Sequence, residues 1–282
     1  MQQIAIVLNF YYSNDGQAYV LKRLVECFSK KGIDARVIDS FEEACDMPND
    51  AIFFSKDLVL ARQLERLGVR LFNSSKAIEL CDDKSKTYQE IDAEWGKYVE
   101  LIPTLFTPMS YKKLAETDKF FLDYVEHYLQ YPLIAKHNTG SLGGGVFKLD
   151  NRKELDEFFI LNSDIAHSYQ KLIGQAGTDY RVYTIGGKAI AGLKRENKKS
   201  FISNIEHGGV GELIELDREL IQLSERISSA LNLDYGAIDF LKSESDNKYY
   251  FLEANSNAYF KTIERLGVDI AGRLVDYICE KI

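Results

Sequence analysis

The stretch YPLIAKHNTGSLGGGVFKLD, residues 131–150, places Lys136 at the end of one strand-like run, three consecutive glycines after it, and a second strand-like run beyond them. Glycines let backbone amides approach an anion closely, and a run of them can serve as a mobile lid. The residue order excludes the commonest phosphate loops. No G-x-x-x-x-G-K-[ST] occurs, because the two Gly-Lys pairs are followed by Tyr98 and Ala189. No G-x-G-x-x-G opens an N-terminal βαβ unit. A kinase glycine loop precedes its lysine, whereas Lys136 precedes these glycines, and no H-R-D or D-F-G follows. By itself GSLGGG favours an ordinary hairpin tip over a phosphate site.

A hairpin about a hundred residues later shifts that balance. In AIDFLKSESDNKYYFLEANS, Asp239 lies on one strand, and Glu253 and Asn255 lie two apart on the next. Period-two alternation points Glu253 and Asn255 to one face. A turn centred near Asp246 sets Asp239 opposite Glu253, each seven residues from that centre. Two carboxylates and an amide oxygen among apolar neighbours form a hard-oxygen set suited to Mg²⁺ carrying nucleotide phosphates. Without a cation, two facing carboxylates repel and resist burial. The alternative is the polar outer face of a hairpin. Between the two motifs, Gln170 to Ile173 read as an extended segment whose backbone can face an adenine edge. Asp179 and Arg181 alternate on one strand face, and Lys194, Arg195 and Asn204 offer donors for a phosphate or an oxyanion.

Composition limits the rest. A hydrophobic content of 45% and 12% aromatics supply a core across 282 residues, which excludes a disordered chain. A net charge of −8 argues against a chain built to bind nucleic acid. Cys27, Cys45, Cys81 and Cys279 form no C-x-x-C pair and no zinc spacing, so reduced thiols are expected. MQQIAIVLNFYY has no basic n-region and reads as a first strand, and no run reaches the ~20 apolar residues of a membrane span. A soluble, cytoplasmic protein is expected.

Strand IAIVLNF, a helix over 17–31, strand IDARVID, strand AIFFS, helix DLVLARQLERLG and strand VRLFN alternate, predicting a parallel α/β unit over residues 1–78. A second region, 79–167, opens on SSKAIELCDDKSKTYQEI, where Ser74 or Ser75 caps a helix, and carries the glycine segment. A third, 168–282, alternates strands and turns, with helices over 217–231 and 267–281. The class is thus α/β followed by two α+β lobes.

Together and in this order, these residues resemble the ATP-grasp superfamily, in its RimK-like branch of amino-acid and peptide ligases, over nearly the whole chain. Asp83-Lys84 is similar to the family's Asp-Lys, whose lysine reaches ATP. PLIAKHNTGSLGGGV resembles the strand lysine and phosphate loop, which puts Lys136, Gly140, Ser141, Gly143, Gly144 and Gly145 on the nucleotide. YQKLI resembles the adenine hinge, with Gln170, Lys171, Leu172 and Ile173. GTDYRVYTIGGK resembles the segment that carries Asp179 and Arg181, and SNIEHGG resembles Ser-Asn-x-x-x-Gly-Gly, with Asn204 beside the phosphates. Asp239, Glu253 and Asn255 resemble the metal-binding Asp…Glu-x-Asn. Ile202 stands where the family usually has arginine, Ser256-Asn257-Ala258 replaces its usual Ser-Pro-Gly, and NAYFKTI is closer to the lysine-biosynthesis ligases.

The resemblance implies an ATP-grasp fold and ADP-forming ligation of a carboxylate to an amine through an acylphosphate. It implies two Mg²⁺ ions, with Mn²⁺ as an alternative, and it casts Arg181, Arg195 and Asn204 as catalytic donors. The substrate is expected to be an amino acid, a peptide, or a carrier or precursor peptide, and homo-oligomers are expected by analogy. A peptide-tailoring ligase, a small-molecule kinase and a regulatory nucleotide-binding module are the competing readings. The run NFYYSNDGQ (9–17) is a candidate substrate wall.

Overall fold

Continuous apolar strand runs separated by helices of period 3.6 build the first layer. The computed structural model describes residues 2–11, 14–108, 119–140, 144–205 and 208–282. It begins with β1 (Gln3–Leu8), α1 (Asp15–Lys30), β2 (Asp34–Ile38), α2 (Phe41–Ala44), β3 (Asp50–Phe54), α3 (Leu58–Arg66) and β4 (Arg70–Phe72). The four strands form a parallel sheet in the order β2-β1-β3-β4. Alternation along β1 sends Ile4 and Ile6 toward one core and Ala5 and Val7 toward another. Asn14 and Asp57 cap their helices by accepting backbone N–H bonds.

The stretch after β4, where the sequence predicts a helix capped by Ser74 or Ser75, holds two: α4 (Ser75–Asp82) and α5 (Lys84–Trp95). Ser74 is the first cap. Asp83 takes an extended conformation, and its carboxylate accepts from Ser85 N at 2.9 Å, which restarts the helix with Lys84 as its first residue.

Next come β5 (Glu100–Leu101), β6 (Thr104–Phe106), α6 (Lys119–Leu129), β7 (Leu133–His137), β8 (Val146–Leu149), α7 (Arg152–Leu161) and β9 (His167–Lys171). Strands β6-β9-β7-β8 form an antiparallel sheet. Leu122, Val125, Leu155, Phe158 and Tyr169 fill the core between it and its helices.

The last sheet is assembled from β10 (Thr178–Ile185), β11 (Lys188–Glu196), β12 (Val210–Ile214), β13 (Tyr235–Lys242) and β14 (Tyr249–Asn255), in the order β12-β11-β10-β13-β14-β5. Helix α8 (Arg218–Ala230) packs on one face through Leu223 and Ile227, together with Tyr88 and Ile91 of α5. Helices α9 (Lys261–Arg265) and α10 (Ile270–Cys279) close the other face against α1 and β1. Strand β9, C-terminal to the expected boundary at 167/168 for all but its first residue, hydrogen-bonds into the second sheet, while β5 joins the third. Among the described residues no helix is long and apolar enough to cross a membrane.

Several side chains join the first layer to the third, among them Asn257, which donates to Ser55 O, and Asn73. Asn73, 2% exposed, donates to Tyr235 O at 2.7 Å and Ser256 O at 2.9 Å, and accepts from Asp234 N at 2.7 Å and Tyr235 N at 3.1 Å. Its two donors and its carbonyl are all used, so it sets the first sheet's position over the strand ends that carry the site.

Candidate active site

Strand register gathers the site on one face of the large sheet. Arg181 on β10 stands opposite Asp239 on β13, and Asp239 stands opposite Glu253 on β14. Two residues along β10, Asp179 stands opposite Arg195 on β11. Period two then adds Asn255 beside Glu253, so six residues from four strands share one surface.

The sequence places the hairpin turn on Asp246, but the pairs Phe240–Phe251 to Lys242–Tyr249 centre between Ser245 and Asp246. A regular hairpin about that centre would set Leu252 opposite Asp239. The register shifts by one residue between Asp239 and Phe240, and Leu252 is the extra residue. As a result Leu252 and Glu253, though consecutive, both face the cleft.

The charges are paired in a network. Arg181 donates to Asp239 through Nε at 2.7 Å and Nη2 at 2.6 Å. Arg195 grips Asp179 at 2.6 and 2.5 Å, and its Nη2 also donates to Asp239 at 2.9 Å. The Ser203 hydroxyl donates to Asp179. Asp179, Arg195 and Asp239 are 3% exposed or less, so each charge depends on the others for compensation. Burial pushes the Asp239 carboxyl up while Arg181 and Arg195 pull it back. Burial acts in the same direction on Glu253, but the field of Lys84, Arg181, Lys136 and Arg195 outweighs it and holds that carboxyl at about 2. Desolvation brings buried Lys136 down to about 8, despite Glu253 nearby.

Asn255 Nδ2 lies 3.5 Å from Asp239 and 3.3 Å from Glu253, so three oxygen-bearing side chains converge on one point. Turning the amide presents its oxygen; Asp239 Oδ2 already accepts from both Arg181 and Arg195, while its Oδ1, with one Arg181 bond, and the Glu253 oxygens keep lone pairs free. The donor set fits a hard divalent cation. Among the described residues no group of three His, Cys, Asp or Glu forms a metal cluster.

Two cavities meet at this surface. The first lies between the second and third sheets, walled by Ile134, Val146, Leu172, Ile173, Leu241 and Leu252. Lys136, Gly140, Gly144 and Asp179 line it too, as does Lys84, whose Nζ donates to Gly140 O at 3.4 Å. The second cavity lies between the first and third sheets and is bordered by Arg181, Arg195, Asn255 and the first turn of α1. Glu253 and Asn204 line both.

The remaining expected residues fall as follows. The side chain of Gln170 leaves the first cavity and donates to Tyr88 OH at 2.7 Å and Thr104 Oγ1 at 3.0 Å, because strand alternation turns it toward β6 and α5. Lys171 is exposed on the outer side. Gly145 adopts φ 75° and its carbonyl accepts from His137 N at 2.9 Å, so it shapes the hairpin; a side chain there would strike the His137 ring. Ser141 and Gly143 lie outside the described residues. Thr178 and Phe201 also line the first cavity and carry no motif that singles them out. Asn9, Asp15, Gly16 and Gln17 line the second, within the run read as a candidate wall.

Known proteins resemble this chain in sequence and in fold. The RimK-like ATP-grasp domain model matches residues 100–278. An uncharacterised Mycoplasma pneumoniae protein, an MG012 homolog, is 31% identical over 74% of this chain and 72% of its own length. Human beta-citrylglutamate synthase B is 29% identical over 82% of this chain, which spans 58% of that enzyme's length. A probable alpha-L-glutamate ligase of Trichodesmium erythraeum is 26% identical over 94% of both chains. Among solved structures, the D-cycloserine synthetase DcsG aligns with a TM-score of 0.76 at 15% identity over 99% of both chains. The ATP complex of Bacillus anthracis D-alanine–D-alanine ligase aligns at 0.73 and 18% identity, over 99% of this chain and 97% of that one. These two likenesses establish the ATP-grasp fold. With its family model matched over more than half its length, the chain belongs to the RimK-like ATP-grasp family of carboxylate–amine ligases.

Proposed function

We propose that this chain uses ATP to join an amino-acid or peptide carboxylate to an amine. The observation that carries the reading is the meeting of two cavities at Glu253 and Asn204. A nucleotide in the first cavity directs its terminal phosphate to the point where a molecule in the second can reach it. A carboxylate oxygen attacks the γ-phosphorus and ADP leaves, forming an acylphosphate. The amine then attacks the acyl carbon, phosphate leaves, and an amide remains.

In this reading the apolar walls of the first cavity hold the adenine, while Lys84, Lys136 and the glycine segment hold the phosphates. Asp239, Glu253 and Asn255 would hold Mg²⁺, two ions by the resemblance, which would neutralise charge on the phosphate oxygens. Arg181 and Asn204 border the reacting groups and stabilise the charge that develops there. Arg195, buried against two carboxylates, acts by fixing Asp239 and Asp179. Segments 1–78, 79–167 and 168–282 are the proposed units that close around the substrates. Four cysteines without a disulfide fit the reducing, ATP-supplied cytoplasm.

Two of the relatives carry glutamate in their names, which makes glutamate the first amine to test. Incubation with ATP, Mg²⁺ and pooled amino acids should release ADP and phosphate and give a condensation product by mass spectrometry. A stable phosphoester with no amide would replace the ligase reading with a kinase.

A further inference from the structure

One amide and two hydroxyls form a buried chain between the second and third sheets. Tyr88, on α5 one turn after Lys84, is 6% exposed, and its OH donates to Phe251 O of β14 at 3.2 Å. Thr104 of β6 donates through Oγ1 to Ile102 O at 2.7 Å, just after β5. Both hydroxyl protons go to main-chain carbonyls, which only accept. Both hydroxyls therefore accept from Gln170, whose Nε2 lies 2.7 Å from Tyr88 OH and 3.0 Å from Thr104 Oγ1. The two carbonyls thus fix which way the Gln170 amide faces. Burial pushes the Tyr88 hydroxyl up, and the charge of Glu253 adds to it, so the phenol stays protonated and keeps donating.

The carbonyl that Tyr88 holds lies at the edge of the bulge. Phe251 pairs with Phe240, Glu253 pairs with Asp239, and Leu252 is the extra residue between them. In the regular register Leu252 would stand opposite Asp239, and Glu253 would turn to the other face of the sheet. A bulge disrupts the ladder locally, so the bulged strand benefits from holding by groups outside it. Here it is held on both sides. Tyr88 bonds Phe251 before the extra residue, and Asn73 bonds Ser256 after it. The Tyr88 and Phe251 rings also pack with centroids 5.5 Å apart, and Tyr88, Lys84, Glu253 and Asn255 line one narrow crevice.

From this we infer that Tyr88 is a positioning residue for Glu253, and that Gln170 aims it. Tyr88 holds β14 in the bulged register, the one that sets Glu253 beside Asp239 and Asn255. Gln170 lies on β9, and Leu172 and Ile173 just beyond it wall the first cavity. The same chain of bonds thereby ties the strand beside the nucleotide to the carboxylate. The inference rests on the cation assignment in the ligase reading above and deepens it.

The test is calorimetric titration of the full chain with a non-hydrolysable ATP analogue, once with Mg²⁺ and once with EDTA. The readout is the ratio of the two affinities. The wild type should bind more tightly with Mg²⁺, and Glu253→Gln should remove most of that gain. Tyr88→Phe keeps the ring and removes the hydroxyl. It should lower the ratio about five-fold, the contribution of roughly one hydrogen bond, with the affinity in EDTA within about two-fold of wild type. Gln170→Leu leaves the phenol without the donor that aims it and should lower the ratio in the same direction. A merely structural loss would weaken binding equally with and without Mg²⁺, so an unchanged ratio in both variants would overturn the inference. If the wild type shows no gain from Mg²⁺, or Glu253→Gln keeps it, the cation assignment fails first, and this inference fails with it.

Discussion

Asp239 and Glu253 stand directly opposite each other on neighbouring strands, yet only Asp239 is gripped by arginine. Glu253 receives no guanidinium bond among the described residues, only Asn255 Nδ2 at 3.3 Å, and the surrounding positive field keeps it ionised down to about pH 2. One carboxylate is thus anchored, and the other presents a charge to whatever enters where the cavities meet.

Replacing Glu253 should therefore stop chemistry without unfolding the chain. Glu253→Gln is expected to lower ATP-dependent amide formation at least about a hundred-fold, with near-native circular dichroism. Its folded pKa lies below the free value of 4.5, so the carboxylate stabilises the fold above about pH 4.5 and that contribution fades as pH falls toward 2. Acid melts of the variant should lose less stability across that window than the wild type.

Lys136 makes nucleotide affinity depend on pH. With a value near 8 in the free protein, it is half neutral at pH 8, whereas phosphates favour the charged form. Binding ATP should raise that value and take up a proton, so affinity falls as pH rises through 8 toward the higher, bound-state value. Calorimetry at pH 8–9 in buffers of different ionisation enthalpy should detect the uptake, and Lys136→Met should abolish it.

Arg195 should matter more for the fold than its place at the cavity edge suggests. Arg195→Ala leaves Asp179 and part of Asp239 buried without their counter-charge, an expected loss of about 3–5 kcal/mol. Urea unfolding would measure it. Asp179→Asn combined with Arg195→Gln, which removes one charge of each sign, should recover part of the loss.

Asn73 offers a test of how the first sheet is held over the site. Asn73→Ala removes four hydrogen bonds and leaves backbone groups of Asp234, Tyr235 and Ser256 without that partner, at an expected cost of at least about 2 kcal/mol. Thermal unfolding should show the loss. A rise in the KM for the amine substrate should accompany it, because the second cavity lies between the two layers that Asn73 joins.

Much of this protein is set by local order in the chain. Alternation determined the first parallel sheet, the shared face of Asp179 and Arg181, and the shared face of Glu253 and Asn255, because a side chain's direction in a strand depends only on its parity. The residue order around Lys136 was enough to exclude two phosphate-loop families. Tertiary structure decided what parity cannot. The bulge at Leu252 depends on how β14 fits β13, and the grips of Arg181 on Asp239, 58 residues away, and of Arg195 on Asp179, 16 away, depend on which strands become neighbours. Strand parity turns Gln170 from the first cavity, but the partners that receive it there, Tyr88 of α5 and Thr104 of β6, come from distant parts of the chain. Asn73 carries no motif at all. Its role comes from burial and from partners supplied by distant parts of the fold.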